Sequence, residues 1–344
     1  MTVHAPEARS TRMLCASLLV AALTAGGGGG GDTTAPAAAP APSATPISAA
    51  NADAVAARGY ETANALFDAS SAASEQLKAG TGSTGLDLVR FSLAQIRSLA
   101  AGQGGVGPSA KGAASSAKGT TTDSLTCPSG GSITVTATDL NNNGAADAGD
   151  SASITFDACA ADGVVASGSM GFVFVAYTTS AAADTASVTV TFNALRIAEG
   201  NNVSSASGDM TLAATISNVS PFTTDVTLSG SKLTLVDGAE NRTLAGYSGR
   251  LLIDDTRRTY SYAVAGAVSG SGLPGTLTLS TPIPIAGTLA GNPTTGRIVV
   301  TGASNAQVSL TASPPTGVEL ALDANGDGTP ESRRVLTWAQ FDAL

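Results

Sequence analysis

Histidine is almost missing from this chain: the single one, His4, sits in an N-terminal stretch that reads as a removable leader. Without an imidazole, the remainder has no Ser-His-Asp or Cys-His arrangement and no His-ligated zinc site. Charged residues make up only 12% and aromatics 4%, so the core has to be built from Val, Leu, Ile and Ala with few large anchors. Asp and Glu (26) outnumber Lys and Arg (17), and the net charge of −9 comes with no basic cluster. That balance gives no electrostatic footprint for nucleic acid or anionic lipid. There are three cysteines and no Cys-x-x-Cys pair, which argues against dithiol redox chemistry. Beyond the leader no run is long and apolar enough to cross a membrane as a helix. Enzymatic sites need convergent titratable groups, so a non-enzymatic chain is the expectation, with carboxylate-pair chemistry the route left open.

Residues 1–25 have the layout of a signal peptide. Arg9 and Arg12 precede an apolar run from Met13 to Leu23, followed by small residues at Ala21, Ala22 and Ala25. Leu23-Thr24-Ala25-Gly26 and the glycines that follow resemble the lipobox start of bacterial lipoproteins, with Gly26 where the lipidated cysteine would stand. The resemblance implies export to the periplasm, the outer-membrane surface or the medium. The replaced cysteine implies a protein without the lipid. Residues 26–47, rich in Gly, Ala and Pro, read as a tether. Residues 48–101 read as helical. A first helix over 48–78, capped by Ser48 or Asn51, presents Val55, Gly59, Ala63, Leu66 and Phe67 on one face. A second over 86–101 carries a stripe of Val89, Leu93, Ile96 and Ala100. Residues 102–124 read as a flexible linker.

From Leu125 to Leu344 the period changes to two. Ile133-Thr-Val-Thr-Ala, Phe172-Val-Phe-Val-Ala and Val188-Thr-Val-Thr-Phe alternate apolar and small or hydroxyl residues, the mark of a sheet with one buried face. Roughly twelve to fourteen strands at meander spacing are expected. A small-residue–Gly pattern recurs at Gly208, Gly230, Gly249, Gly275 and Gly296, where glycine permits bulges and curvature. The fold class is mainly β: a curved antiparallel meander, closed as a partly open barrel or a sandwich, preceded by one or two short helices. The 86–101 helix is the candidate to cover its open side.

Three features carry chemistry. Cys127 and Cys159 are the pair left after the leader, and in an exported chain they are expected to form a disulfide. Between them, Asp139, Asn141, Asn143, the carbonyl of Ala145, Asp147 and Asp150 occupy loop positions 1, 3, 5, 7, 9 and 12 of an EF-hand-type calcium loop, with Gly144 at the sharp turn. The loop resembles dockerin-like loops, which also carry Asp at the last position. The alternative is a metal-free Asn-Gly hairpin turn. Near the C-terminus, Asp323, Asn325, Asp327, Thr329 and Glu331 form Asp-x-Asn-Gly-Asp-Gly-x-x-Glu, similar to the calcium hairpins of FG-GAP and thrombospondin-type repeats. Here too, plain turns use the same residues. The following Val335–Phe341 stretch is expected to return as a strand, packing Trp338 and Phe341 on the body, or else leaving them as an exposed aromatic patch. The whole layout resembles a group of proteobacterial exported or lipoprotein-like proteins, which implies localisation and no activity. The functional expectation is a calcium- and disulfide-stabilised envelope protein with a structural or adhesive role. A carrier of lipid or another apolar ligand beneath a helix is the alternative, and a carboxylate-dependent glycan hydrolase stands third.

Overall fold

Among the described residues, alternating apolar and hydroxyl residues build one antiparallel sheet of fourteen strands, in which every strand pairs with its neighbours in sequence and with no other strand. The computed structural model describes residues 43–78, 119–142, 148–161, 163–314 and 317–344. The expected signal peptide, the tether up to residue 42, the 86–101 helix and the linker up to residue 118 lie outside them. The order is α1 (Ala52–Lys78), then β1 (Gly119–Thr126), β2 (Ser132–Asp139), β3 (Ser151–Ala161), β4 (Val164–Thr179), β5 (Ala183–Glu199), β6 (Asn202–Ser217) and β7 (Thr223–Asp237). It continues through β8 (Glu240–Asp254), β9 (Thr259–Gly270), β10 (Leu277–Thr288), β11 (Thr295–Thr301), β12 (Gln307–Ser313), β13 (Gly317–Asp323) and β14 (Ser332–Thr337) to a terminal turn of helix, α2 (Trp338–Phe341). The sheet is open, with β1 and β14 as its edges, and it is one continuous sheet rather than two facing ones.

One face of the sheet is apolar. The cross-strand row Ile154–Met170–Phe192, continued beyond Gly208 by Leu233, Leu244, Val268 and Leu277, is buried throughout. The opposite face carries rows of hydroxyls, with Val173 and Leu252 exposed among them. Thr120 pairs with Thr138 (3.1 Å), Thr122 with Thr136 (3.1 Å), Ser124 with Thr134 (3.0 Å) and Thr189 with Thr211 (3.0 Å). Such cross-strand pairs are the unit of sheet stabilisation.

Two of the repeated glycines, Gly208 and Gly296, sit where strands bulge. Between β6 and β7 the register shifts at Gly208/Thr211. Gly208 has φ +126°, and a Cβ there would lie 2.0 Å from the Lys232 carbonyl oxygen. Gly296 has φ +118° and would meet Ile285 Cα at 2.5 Å. Each bulge bends and twists its strand and slips the phase of the alternation.

Helix α1 lies on the apolar face against β7, β8, β9, β11 and β12. Its buried residues Ala52, Val55, Ala56, Thr62, Ala63, Leu66 and Ser70 recur at helical spacing around Gly59. Asn51 precedes the helix. Its carbonyl accepts the first helical bond from Val55, while its side-chain Oδ1 accepts from Ser48 N (2.8 Å) and its Nδ2 donates to Pro46 O (2.9 Å). Tyr262 donates to Asn64 Oδ1 at 3.2 Å, and Phe67 packs on Tyr260 and Tyr262 with centroids 5.5 and 5.0 Å away. Thus α1 docks on the sheet itself.

Three boundaries differ from expectation. The sheet begins at Gly119 rather than Leu125, because the polar stretch read as linker pairs with β2. The end of the tether is bonded to the body: Thr45 N donates to Thr276 O (2.9 Å), Ala303 N donates to Thr45 O (2.7 Å), and Thr45 and Ile47 are buried. The tail leaves its strand at Thr337, where Thr337 and Gln340 form a capping box, so Trp338 and Phe341 pack from a helical turn. Both are buried, with Tyr60 of α1 5.6 and 5.3 Å from their rings, which rules out the exposed aromatic patch.

Candidate functional site

The hairpin between β2 and β3 is held at one end by covalent chemistry and at the other by carboxylates. Cys127 and Cys159 form the expected disulfide, with Cα atoms 5.4 Å apart and a sequence separation of 32. Closing a loop of that length contributes about 3–4 kcal/mol through loop-closure entropy. At the opposite end, Asp139 closes β2 and Asp150 precedes β3. Both are buried, at 9% and 5% exposure. Asp150 Oδ1 accepts the amide of Leu140 at 2.9 Å, which brings loop positions 1 and 12 together at the hairpin base. The backbone of Asp150 is fixed in turn by β4: Phe174 N donates to Asp150 O (2.9 Å), and Gly149 N donates to Phe174 O (2.8 Å). Asn141 lies exposed beside Asn142, which takes φ +59°. Asn143, Ala145 and Asp147 lie outside the described residues. Burying two carboxylates side by side is unfavourable unless hydrogen bonds, a proton or a cation compensates.

The hairpin between β13 and β14 is built differently. Asp323, 5% exposed, accepts Gly326 N on Oδ1 and Gly328 N on Oδ2, both at 2.7 Å. Asn325 Oδ1 accepts Asp327 N (2.8 Å), Asp327 Oδ1 accepts Thr329 N (2.7 Å), and Glu331 Oε2 accepts Ala324 N (2.7 Å). The acidic and amide groups are therefore tied to the loop's own backbone, largely as successive Asx-type turns. Gly326 faces the β11–β12 turn, where a Cβ would lie 2.4 Å from Ser304 O. Among the described residues, no three His, Cys, Asp or Glu side chains gather in a metal-sized cluster.

Two further arrangements come from register and were invisible in the sequence. Asp209, at the β6 bulge, accepts Ser231 N (2.8 Å), Ser231 Oγ and Lys232 N (3.3 Å). Burial works to raise its carboxyl, but these donors outweigh it and hold Asp209 below the usual carboxylate range. Tyr247 donates to Asp209 O at 2.8 Å, and burial together with the Asp209 charge pushes its phenol up. On the hydroxyl face, the small residues Ser187, Ala213 and Thr227 floor an open depression of about 370 Å³, flanked by Asp225 and Arg250. Those two form a bidentate pair (3.0 and 2.7 Å). The charged turn at Asp254–Arg258 is a surface turn with an Arg257–Asp254 pair at 2.6 Å.

Beneath α1, the void lined by Thr62, Leu66, Leu244, Tyr247, Val264 and Leu279 measures about 10 Å³. That is barely room for one water. No helix among the described residues is long and apolar enough to cross a membrane. No protein-family model, curated protein or solved structure matches this chain.

Proposed function

We propose that this chain is an exported, non-enzymatic envelope protein with a structural or adhesive role, and that the β2–β3 hairpin holds a structural calcium ion. The observation that carries the reading is the burial of Asp139 and Asp150 at the base of a loop with calcium-loop spacing. A hard divalent cation bound by oxygen ligands compensates such a carboxylate pair, and extracellular modules of this kind bind it in the 10⁻⁴–10⁻³ M range. The disulfide belongs to the same compartment, since structural disulfides persist where the environment is oxidising. The β13–β14 hairpin takes a secondary part, because its acidic groups already bond its own backbone. The filled space beneath α1 weighs against an apolar ligand held between that helix and the sheet.

The test is a thermal melt of the oxidised full chain in about 5 mM calcium and then in EDTA. At that concentration such a site adds about 1–2 kcal/mol, or roughly 2–8 °C in midpoint for a domain of this size. Asp139→Ala is expected to abolish the shift, while Asp327→Ala leaves most of it. An unchanged midpoint in wild type, or a shift that survives Asp139→Ala, reduces the hairpin to an ordinary turn.

A further inference from the structure

The two edges of the sheet are built to opposite rules. An edge strand exposes unpaired N–H and C=O groups and invites another strand unless charge, proline, a bulge or a cover blocks it. β14 is guarded: it has only six residues. Arg333 pairs with Glu319 at 2.7 Å, Arg334 pairs with Asp53 of α1, and the chain then turns into α2. Among the described residues, β1 shows neither a bulge nor a cover. It runs eight residues, Gly-Thr-Thr-Thr-Asp-Ser-Leu-Thr, with no proline, no lysine or arginine and one charge, Asp123. Its register against β2 is unbroken from Gly119 to Thr126. Among the described residues, no strand pairs with its outer edge.

We infer that this edge is an interface, and that its partner is β1 of a second copy of the chain, paired antiparallel about a two-fold axis at Thr122. The sequence of β1 is self-complementary in that register. Thr122 meets Thr122, Thr120 meets Ser124, and Thr121 meets Asp123, so no like charges oppose. Leu125, which is 42% exposed, falls opposite Gly119, whose missing side chain leaves it space. The rows Thr120–Thr138, Thr122–Thr136 and Ser124–Thr134 already run to this edge. A hydroxyl can donate once and accept twice, so each row extends across the axis into the copy. The same outer face is then shared by both sheets, and a closed two-fold pair leaves only guarded β14 edges outside.

The experiment measures the mass of the oxidised full chain by light scattering at roughly 50 µM, a range suited to a small interface, together with hydrogen exchange of the β1 amides. The wild type is expected at twice the monomer mass, with β1 amides protected. Thr122→Lys sets two ammonium groups against each other at the axis and is expected to give a monomer whose β1 amides exchange freely. Ser124→Lys, facing Thr120 of the copy, acts in the same direction if the first variant fails to fold. Thr155→Lys, exposed on the same face in β3, is expected to stay dimeric. A monomeric wild type, a dimeric Thr122→Lys, or dissociation by Thr155→Lys as well would each overturn the inference.

Discussion

Gly59 is the residue by which α1 comes close enough to the sheet. A Cβ added there would stand 2.4 Å from Val300 Cγ2. Val300 is 1% exposed and held in β11 between Leu279 and Val308, so it has no room to turn away. Gly59→Ala therefore sets two effects against each other. Alanine in a helix interior is favoured over glycine by about 1 kcal/mol, while forcing a methyl into a filled core costs about 1–3 kcal/mol. The net expectation is a loss of about 0–2 kcal/mol. Val300→Ala alone removes two carbons and leaves a cavity, costing about 2 kcal/mol. In the double variant the new methyl enters the vacated space, so the penalty vanishes and the helix gain remains. The two changes should then couple favourably by about 1–3 kcal/mol. Urea unfolding of the four proteins gives the coupling directly. Additivity within about 0.5 kcal/mol, or a single Gly59→Ala that stabilises, would refute the packing of α1 on β11 described above.

At the β6 bulge, Gly208→Ala meets both a backbone clash and a positive φ and should cost roughly 2–4 kcal/mol. Gly163→Ala, at φ +82° with nothing within 4 Å, should lose only about 1–2 kcal/mol in the same denaturation series. Asp209→Ala should cost about 1 kcal/mol at neutral pH, allowing for solvent screening. Because the folded carboxyl lies below its unfolded value, its contribution is complete above about pH 4 and is lost as pH falls through the folded value. The gap between wild type and Asp209→Ala is thus expected to close in acid, and a gap constant with pH would contradict the carboxylate's role.

Segments with a buried face were legible in the sequence, and those without one were not. Val55, Gly59, Ala63 and Leu66 appear at helical spacing because the sheet covers them, and Ile133-Thr-Val-Thr-Ala alternates because only one side is covered. Gly119–Ser124 carries no apolar residue, so periodicity had nothing to register, although the segment pairs fully with β2. β7 illustrates a second limit. Val226–Leu228 and Leu233–Val236 read as separate strands because burial switches from even to odd positions along one continuous strand. The bulge at Gly208/Thr211 in its partner accompanies that slip, and the pairing is a property of register. The Thr337/Gln340 capping box was a readable signal for α2, overlooked beside the alternation of Val335 and Leu336. At the candidate site, loop spacing singled out Asp139 and Asp150, but the backbone bonds that tie Gly149 and Asp150 to Phe174 of β4 are a property of register. Spacing alone did not distinguish that hairpin from the self-bonded one at Asp323.

The strict meander order also sets a timetable for a chain that emerges from its N-terminus. Each strand that emerges can be laid on the one before it, so ladder formation never has to wait for a distant partner and little loop entropy is lost at any step. Helix α1 is the exception. It emerges first, yet its apolar stripe faces β7, β8, β9, β11 and β12, most of the chain later. Until those strands are in place that stripe has no cover from them, and it is a part on which a folding helper would act.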